Sequence, residues 1–310
     1  MRKALLLYNP LSGGRRAQRL PEVEAAAAVL RQGGVEVEVS ATQGSAGAAE
    51  QVQQASAHGF DTIFACGGDG TIHDVLQGLV GSDVSLGVIP MGTGNTLAHD
   101  IGVPLKPVGA AQASLRYRPR KIAVGRVQYQ EFSGVTASCY FTVTVGIGVD
   151  AHLFYRLNVE AKRRFGMASY CAKATWLWMT HPLHYFQAEV CGRNGAEEAR
   201  VSQLLAVRIR QFGGVLRELA PGASLERNDL RLVLFRTQSR IAYLRYILRG
   251  LAGTQWQIPG IDLKDAERVS CRSLPANESQ RVFVEADGEL LGTLPAEISI
   301  LPAALSLLMP

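Results

Sequence analysis

Asp69 stands in Gly67-Gly68-Asp69-Gly70-Thr71, directly after the β-branched run Thr62 to Cys66 and directly before an apolar-periodic helical stretch. Glycines at a strand-to-helix turn let main-chain N–H groups approach an anion, and the helix N-terminus adds roughly half a positive charge. A carboxylate inside such a phosphate cradle is repelled unless a cation such as Mg²⁺ or a transferable proton lies between the two anions. The competing reading is an ordinary glycine turn with Asp69 as helix N-cap.

Two further loops have the same character. Pro90-Met91-Gly92-Thr93-Gly94-Asn95 follows the run Leu86 to Ile89 and precedes a helix from Thr96, so Thr93 and Asn95 can offer a hydroxyl and an amide. Asn9-Pro10-Leu11-Ser12-Gly13-Gly14 follows the run Lys3 to Tyr8. Open α/β sheets bind ligands at the carboxyl ends of their strands, where these loops converge. No GxxxxGK[ST] occurs, and no GxGxxG follows the first strand, which disfavours P-loop NTPases and simple dinucleotide dehydrogenases.

The elements that must position these loops alternate. Strand-like runs at Lys3 to Tyr8, Val35 to Ser40, Thr62 to Cys66 and Leu86 to Ile89 are separated by helical stretches at Ala17 to Leu30, Ala46 to Ala57 and Thr71 to Leu79, with another at Val108 to Arg116. That order predicts a parallel, Rossmann-like α/β domain over residues 1–120. From 121 to 310 most runs are strand-like: Ile122 to Tyr129, Tyr140 to Val149, Phe186 to Val190, Leu204 to Ile209, Leu230 to Phe235, Arg268 to Arg272, Val282 to Ala286 and Glu297 to Leu301. A second, antiparallel β-sandwich-like domain is expected there, interrupted by helices at Ala151 to Thr180 and Ser239 to Leu251, with its last residues packing back on the first domain.

The 310 residues are 47% hydrophobic and 19% charged, a globular composition that excludes disorder and fibrous repeats. A net charge of +5 favours an anionic partner without choosing one. No apolar run approaches the ~20 residues of a bilayer-spanning helix. The N-terminal apolar stretch is too short for a signal peptide, so a cytoplasmic location is expected. The five cysteines are scattered with no CxxC pair, which argues against a disulfide framework or a zinc cage.

The combination NPLSGG at Asn9 to Gly14, CGGDGTIHDVLQGL at Cys66 to Leu79 and GVIPMGTGNTLAHDIGVP at Gly87 to Pro104 resembles the diacylglycerol kinase catalytic family. That family includes bacterial lipid kinases and sphingosine and ceramide kinases and is distantly related to NAD kinases. VGIGVDA at Val145 to Ala151, FGGVLRELAPGA at Phe212 to Ala223 and EADGEL at Glu285 to Leu290 extend the resemblance. It implies an α/β nucleotide domain plus a β-sandwich-like domain, with the active site between them.

Carried over residue by residue, the resemblance implies ATP phosphates against Gly67, Gly68, Asp69, Gly70, Thr71, Gly92, Thr93 and Asn95, with Asn9, Ser12, Gly13, Gly14 and Thr42 near the nucleotide. Asp69 would serve Mg²⁺ or the acceptor hydroxyl, Asp287 would share the metal, and Glu289 is the candidate proton acceptor. An alcohol is a poor nucleophile at neutral pH, so a carboxylate must accept its proton while the transferring charge is stabilised. Asp287-Gly288 between two strand-like runs is equally a hairpin signal.

Three departures from the family pattern stand out. His73-Asp74 replaces the common Asn-Glu, and Asn95-Thr96 replaces Asn-Asp. Arg227-Asn228 occupies positions where some relatives hold a structural Mg²⁺, so that metal site is expected to be absent unless Asp229 takes over, with a guanidinium in place of the cation.

The expected activity is ATP-dependent lipid kinase, with a diacylglycerol-, sphingoid- or phosphatidylglycerol-like acceptor. The alternatives are an NAD kinase-like enzyme and a nucleotide-binding regulatory protein. Ten arginines between Arg200 and Arg249 face only Glu218, Glu226 and Asp229. This excess suits either salt-bridged strand faces or an anionic membrane surface. Nucleic acid is set aside, because no helix-turn-helix, RNP or zinc-finger pattern accompanies the charge. The stretch Ser239 to Leu251 reads as an amphipathic basic helix, which can cover a sheet or lie in a membrane interface. Lys162-Arg163-Arg164 and the aromatic stretch Tyr170 to Trp178 read as a core helix or a lipid-access wall. The oligomeric state is open, a homodimer being one option.

Overall fold

Apolar β-branched runs and alanine-rich helical segments alternate through the first half, and the computed structural model folds them as β-α units. It describes residues 1–10, 18–149, 182–193, 195–213, 218–252, 257–275 and 281–310. The order is β1 (Lys3–Tyr8), α1 (Arg19–Gln32), β2 (Glu36–Ala41), α2 (Gly44–Ala57), β3 (Thr62–Gly67), α3 (Asp69–Leu79), β4 (Ser85–Pro90), α4 (Thr96–Asp100) and α5 (Pro107–Ser114). The four strands pair in parallel in the order β4-β3-β1-β2. β3 and β4 are buried along their whole length, as continuous apolar runs covered on both faces must be. α1 starts two residues later than expected, with Pro21 in its first turn, where a missing N–H costs nothing.

The second half is antiparallel: β5 (Arg118–Gln130), β6 (Thr136–Phe141), β7 (Thr144–Gly148), β8 (Phe186–Gly192), β9 (Gly195–Val201), β10 (Gln203–Val207), β11 (Leu230–Phe235), α6 (Arg240–Ala252), β12 (Ile261–Ala266), β13 (Arg268–Ser273), β14 (Phe283–Ala286) and β15 (Glu289–Met309). The architecture is a parallel α/β sheet joined to an antiparallel β-sandwich-like half. β15 joins the halves: it pairs with β14 and β13 near its start, runs along β5, and ends parallel to β4 with Ser306 opposite Ser85 and Leu307 opposite Leu86. Leu305, Leu307 and Leu308 thereby enter the apolar core of the first half. A second core lies between the sheets of the second half, and a third between α6 and the sheet formed by β10 and β11.

Several expectations are corrected here. The run Tyr140 to Val149 is two strands, because the N–H groups of Thr142, Val143 and Thr144 turn toward the Asp287 carboxylate and leave the ladder. Two strands are not evident in the sequence: β9, where two alanines flank a pair of glutamates and the outer face is polar, and β12, whose charges mask its alternation. Glu297 to Leu301 is one part of the 21-residue β15. α6 covers the sheet with Ala242, Tyr243 and Tyr246, while its leucines and isoleucines face outward. Ser12, Gly13, Gly14, the helix expected at 151–180 and its basic and aromatic stretches lie outside the described residues.

Candidate active site

The register of the parallel strands brings Asn9, Thr42 and the loops at Gly67 and Gly92 to one edge of the sheet, since Tyr8 lies beside Ala41 and Cys66, and Gly67 beside Pro90. The two glycine loops touch main chain to main chain. Met91 N–H donates to Gly67 O at 2.8 Å, and any side chain on Gly92 would strike Gly68 Cα. Asn95, at φ +51°, closes its loop by accepting from Gly92 N–H at 2.8 Å and donating to Gly92 O at 3.0 Å. Its amide therefore shapes the loop, and the exposed Thr93 is the side chain left to meet a ligand.

α3 starts at Asp69 with Gly68 as N-cap and no side-chain cap, so the first-turn N–H groups keep their anion-binding capacity. Asp69 is thus a first-turn residue and not the cap. Thr71 Oγ1 is buried without a hydrogen-bond partner among the described residues. A main-chain cradle, an uncapped eleven-residue helix and a spare hydroxyl fit the phosphates of a nucleotide.

Asp69 is half-buried and held in one orientation. Its Oδ1 accepts from Thr96 N–H at 2.6 Å, and its Oδ2 from the Thr96 hydroxyl at 3.3 Å. Burial raises its pKa above the usual carboxylate value; the Thr96 bonds oppose the rise and the Asp287 charge adds to it.

The Asp287-Gly288 pair is a hairpin turn with both residues at positive φ, between β14 and β15. It is also part of the site, so the two sequence readings coexist. The buried Asp287 carboxylate accepts from Thr142 N–H at 3.1 Å, Val143 N–H at 2.9 Å and Thr144 N–H at 3.0 Å. His73 Nδ1 lies 3.6 Å from Asp287 Oδ2, and both side chains are nearly inaccessible. Burial alone would lower the imidazole pKa, but Asp287 outweighs it, with a smaller contribution from the Cys139 thiol, and pushes it up to about 10.

Glu289 reaches across to α3: a side chain at Gly70 would lie 2.9 Å from Glu289 Oε1. Nothing among the described residues hydrogen-bonds its carboxylate. Its surroundings raise its pKa, by desolvation first, with His73 opposing and Asp74 and Asp287 reinforcing. The hairpin thus delivers Glu289 to the glycine loop that carries Asp69.

Other contacts fasten the two halves around this point. Gln77 donates to Tyr140 O at 3.0 Å and accepts from Tyr140 N–H at 2.9 Å, tying α3 to β6. Asp100 Oδ1 accepts from the N–H groups of Arg210 and Gln211, each at 2.8 Å. Gln77, Thr96 and Asp100 had no assigned role in the sequence reading. Only Thr96 carried a signal, as a departure from the family pattern.

The two carboxylates expected to hold Mg²⁺ differ in fit. Asp69 Oδ2 has a single long hydrogen bond and sits at the cradle, which suits a cation bound through one carboxylate plus phosphate oxygens. Asp287 fits less well, because three main-chain N–H groups already occupy its two oxygens. No cluster of three metal-ligating side chains occurs among the described residues.

In the loop after Pro221, Arg227 is bidentate to Asp229 at 2.6 and 2.8 Å and reaches Asp265 at 3.0 Å. Beneath it the fully buried Arg208 donates to the carbonyls of Ala123, Leu225, Arg227 and Asp229 at 2.7–3.2 Å. Much of the arginine excess is internal in this way: Arg231 and Arg236 pair with Asp265, Glu197 and Asp262, and Arg249 is buried.

The model of the diacylglycerol kinase catalytic domain matches residues 3–127, and that of the YegS C-terminal NAD kinase beta sandwich-like domain matches residues 143–309. The chain belongs to the diacylglycerol kinase family. A diacylglycerol kinase of Mycobacterium tuberculosis is 31% identical over 312 residues, covering 99% of this chain and 95% of that one. A diacylglycerol kinase of Bacillus subtilis is 29% identical, covering 100% and 97%. A probable YegS-like lipid kinase of Pseudomonas aeruginosa is 28% identical, covering 93% and 90%. The fold matches a crystal structure of a putative diacylglycerol kinase from Bacillus anthracis with a TM-score of 0.76 at 18% identity, covering 100% of this chain and 98% of that one. The protein is a lipid kinase, a phosphotransferase with an alcohol group as acceptor, from a family whose kinases use ATP. No helix among the described residues is long and apolar enough to cross a membrane.

Proposed function

We propose that this kinase moves the γ-phosphoryl group of ATP to a hydroxyl of a membrane-derived lipid, diacylglycerol-, sphingoid- or phosphatidylglycerol-like, with Glu289 as the proton acceptor. The observation that carries the reading is the position of Glu289 Oε1 against Gly70, which sets an accessible carboxylate of raised pKa at the phosphate-binding turn. A base must be reachable and is better for holding a proton more tightly than an ordinary carboxylate does; the exposed Glu289, with its raised pKa, is consistent with both.

The glycine loops and the α3 N-terminus bind and orient the phosphates through main-chain N–H groups. Asp69, fixed by Thr96, would hold Mg²⁺, which when bound neutralises charge on the phosphoryl oxygens. Thr93 contributes a hydroxyl at the loop rim. Asp287 and His73 act together as a buried ion pair that anchors the hairpin and so the reach of Glu289. The acceptor enters from the second half of the molecule, and the kinase works from the cytoplasmic side of the membrane.

The test is transfer of labelled γ-phosphate from ATP to a panel of lipids in mixed micelles, with NAD assayed in parallel. A labelled lipid that disappears in Asp69→Ala is the expected result and names the acceptor. Labelled NAD with no labelled lipid would overturn the reading in favour of an NAD kinase-like activity.

A further inference from the structure

α6 is amphipathic in the wrong sense for a helix bounded by water. Its inner face, Ala242, Tyr243, Tyr246, Arg249 and Gly250, is buried against the sheet. Tyr243 and Tyr246 pack on Phe235 with ring centroids 4.5 and 4.9 Å away. The opposite face should then be polar. It carries Ile241, Leu244, Leu248 and Leu251 at spacings of three and four, with Ile247 beside them, and these five are 36–64% exposed. Single exposed leucines are ordinary; a contiguous stripe of five marks an interaction surface.

We propose that this stripe is a docking surface for an anionic lipid membrane. Charge selects the occupant. Of the five arginines from Leu230 to Ile261, Arg231 and Arg236 are paired on the sheet and Arg249 is buried, which leaves Arg240 and Arg245 on α6, and no acidic residue lies on the helix. Arg245, exposed, and Arg240, half-buried, flank the apolar stripe. Aliphatic side chains edged by arginines match an interface of acyl chains beneath anionic headgroups. A second copy of this chain fits less well: five side chains on under four turns fall short of the ~800 Å² per partner of a stable interface, and the flanking arginines would meet their own kind.

The helix is also fastened to the chain that follows β10. Tyr246 Oη and Arg249 Nη2 donate to Leu219 O at 2.9 and 2.8 Å. Leu219 lies in the segment whose other end, Arg210 and Gln211, is held by Asp100. This inference rests on the lipid acceptor proposed above, and the two are tested separately.

The experiment is flotation of the full chain with phosphatidylcholine vesicles, with and without phosphatidylglycerol, comparing wild type with Leu244→Glu/Leu248→Glu and with Arg240→Gln/Arg245→Gln. Leu244, Leu248 and Arg245 are exposed and Arg240 is half-buried, and unchanged thermal unfolding checks each fold. Wild type binds anionic vesicles, the leucine variant loses binding by about tenfold or more, and the arginine variant loses the preference for anionic lipid. Both variants keep wild-type transfer to an acceptor dispersed in detergent. Equal vesicle binding by wild type and the leucine variant overturns the proposal. So does a wild-type dimer in sedimentation that the leucine variant abolishes, which gives the face to a second copy. Vesicle binding without transfer to any lipid leaves the docking surface standing and sinks the acceptor assignment instead.

Discussion

His73 and Asp287, 214 residues apart, meet as a buried pair at 3.6 Å, and the carboxylate in turn takes three consecutive main-chain N–H groups. The pair ties α3 of the nucleotide half to the hairpin of the other half. A residue that departs from the family pattern is thus the counter-charge of the Asp-Gly-Glu turn.

The pH dependence of stability should report this pair. The His73 pKa is about 10 in the folded protein and about 6.5 unfolded, so protonation favours folding. Its contribution is complete below about pH 6.5 and vanishes as pH rises toward 10. His73→Asn should therefore lower the free energy of denaturant unfolding most near pH 6, by on the order of 2 kcal/mol, and the gap to wild type should close toward pH 10. A gap constant across that range would show that the loss is packing and not charge.

Gly94 offers a cleaner probe of the reacting centre. A methyl group there would lie 2.6 Å from Asp69 Oδ2, while Gly94 itself is exposed and without positive φ. Gly94→Ala should displace the carboxylate and lower kcat by about 100-fold with little change in thermal midpoint, because misplacing a reacting group by about 1 Å has that effect. Wild-type kcat in this variant would mean that the orientation set by Thr96 is unimportant.

The glycine loops, the β-α alternation and the acidic turn were legible because each is a local pattern: period, turn chemistry and spacing. What was not legible is what those residues face. For Asp287 the resemblance implies a shared metal and the local pattern a hairpin, and neither shows that its carboxylate takes three main-chain N–H groups, since Thr142, Val143 and Thr144 contribute nothing that a side-chain pattern betrays. Asn95 reads as a ligand contact and closes its own loop. The leucines of α6 read by periodicity as a stripe that fits a sheet or a membrane interface equally; periodicity finds a stripe but does not say on which side the protein lies.

Arg208 should behave as an internal cation. Burial lowers its pKa to about 10, against the opposing charge of Asp229, so it stays charged at neutral pH. Four carbonyl oxygens converge on it as they would on a metal. Arg208→Met leaves those carbonyls unpaired and should cost about 3–5 kcal/mol, measured by denaturant unfolding. Chelation should leave the thermal midpoint of nucleotide-free wild type unchanged. A Mn²⁺-soaked map with metal between Leu225 and Asp229 would defeat this account.

Glu289 and Asp69 should separate kinetically. If Glu289 accepts the proton, Glu289→Gln lowers kcat by about 10²–10⁴-fold and leaves the KM for ATP close to wild type. Asp69→Asn should instead raise the Mg²⁺ concentration needed for half-maximal rate. The acid limb of the wild-type pH–rate profile should sit above the ordinary glutamate range, because desolvation, Asp74 and Asp287 all hold the Glu289 proton on. His73 opposes them, so His73→Asn should move that limb to still higher pH. A limb that stays in place would separate His73 from the base. A limb that moves only in Asp69 variants would transfer the proton to Asp69.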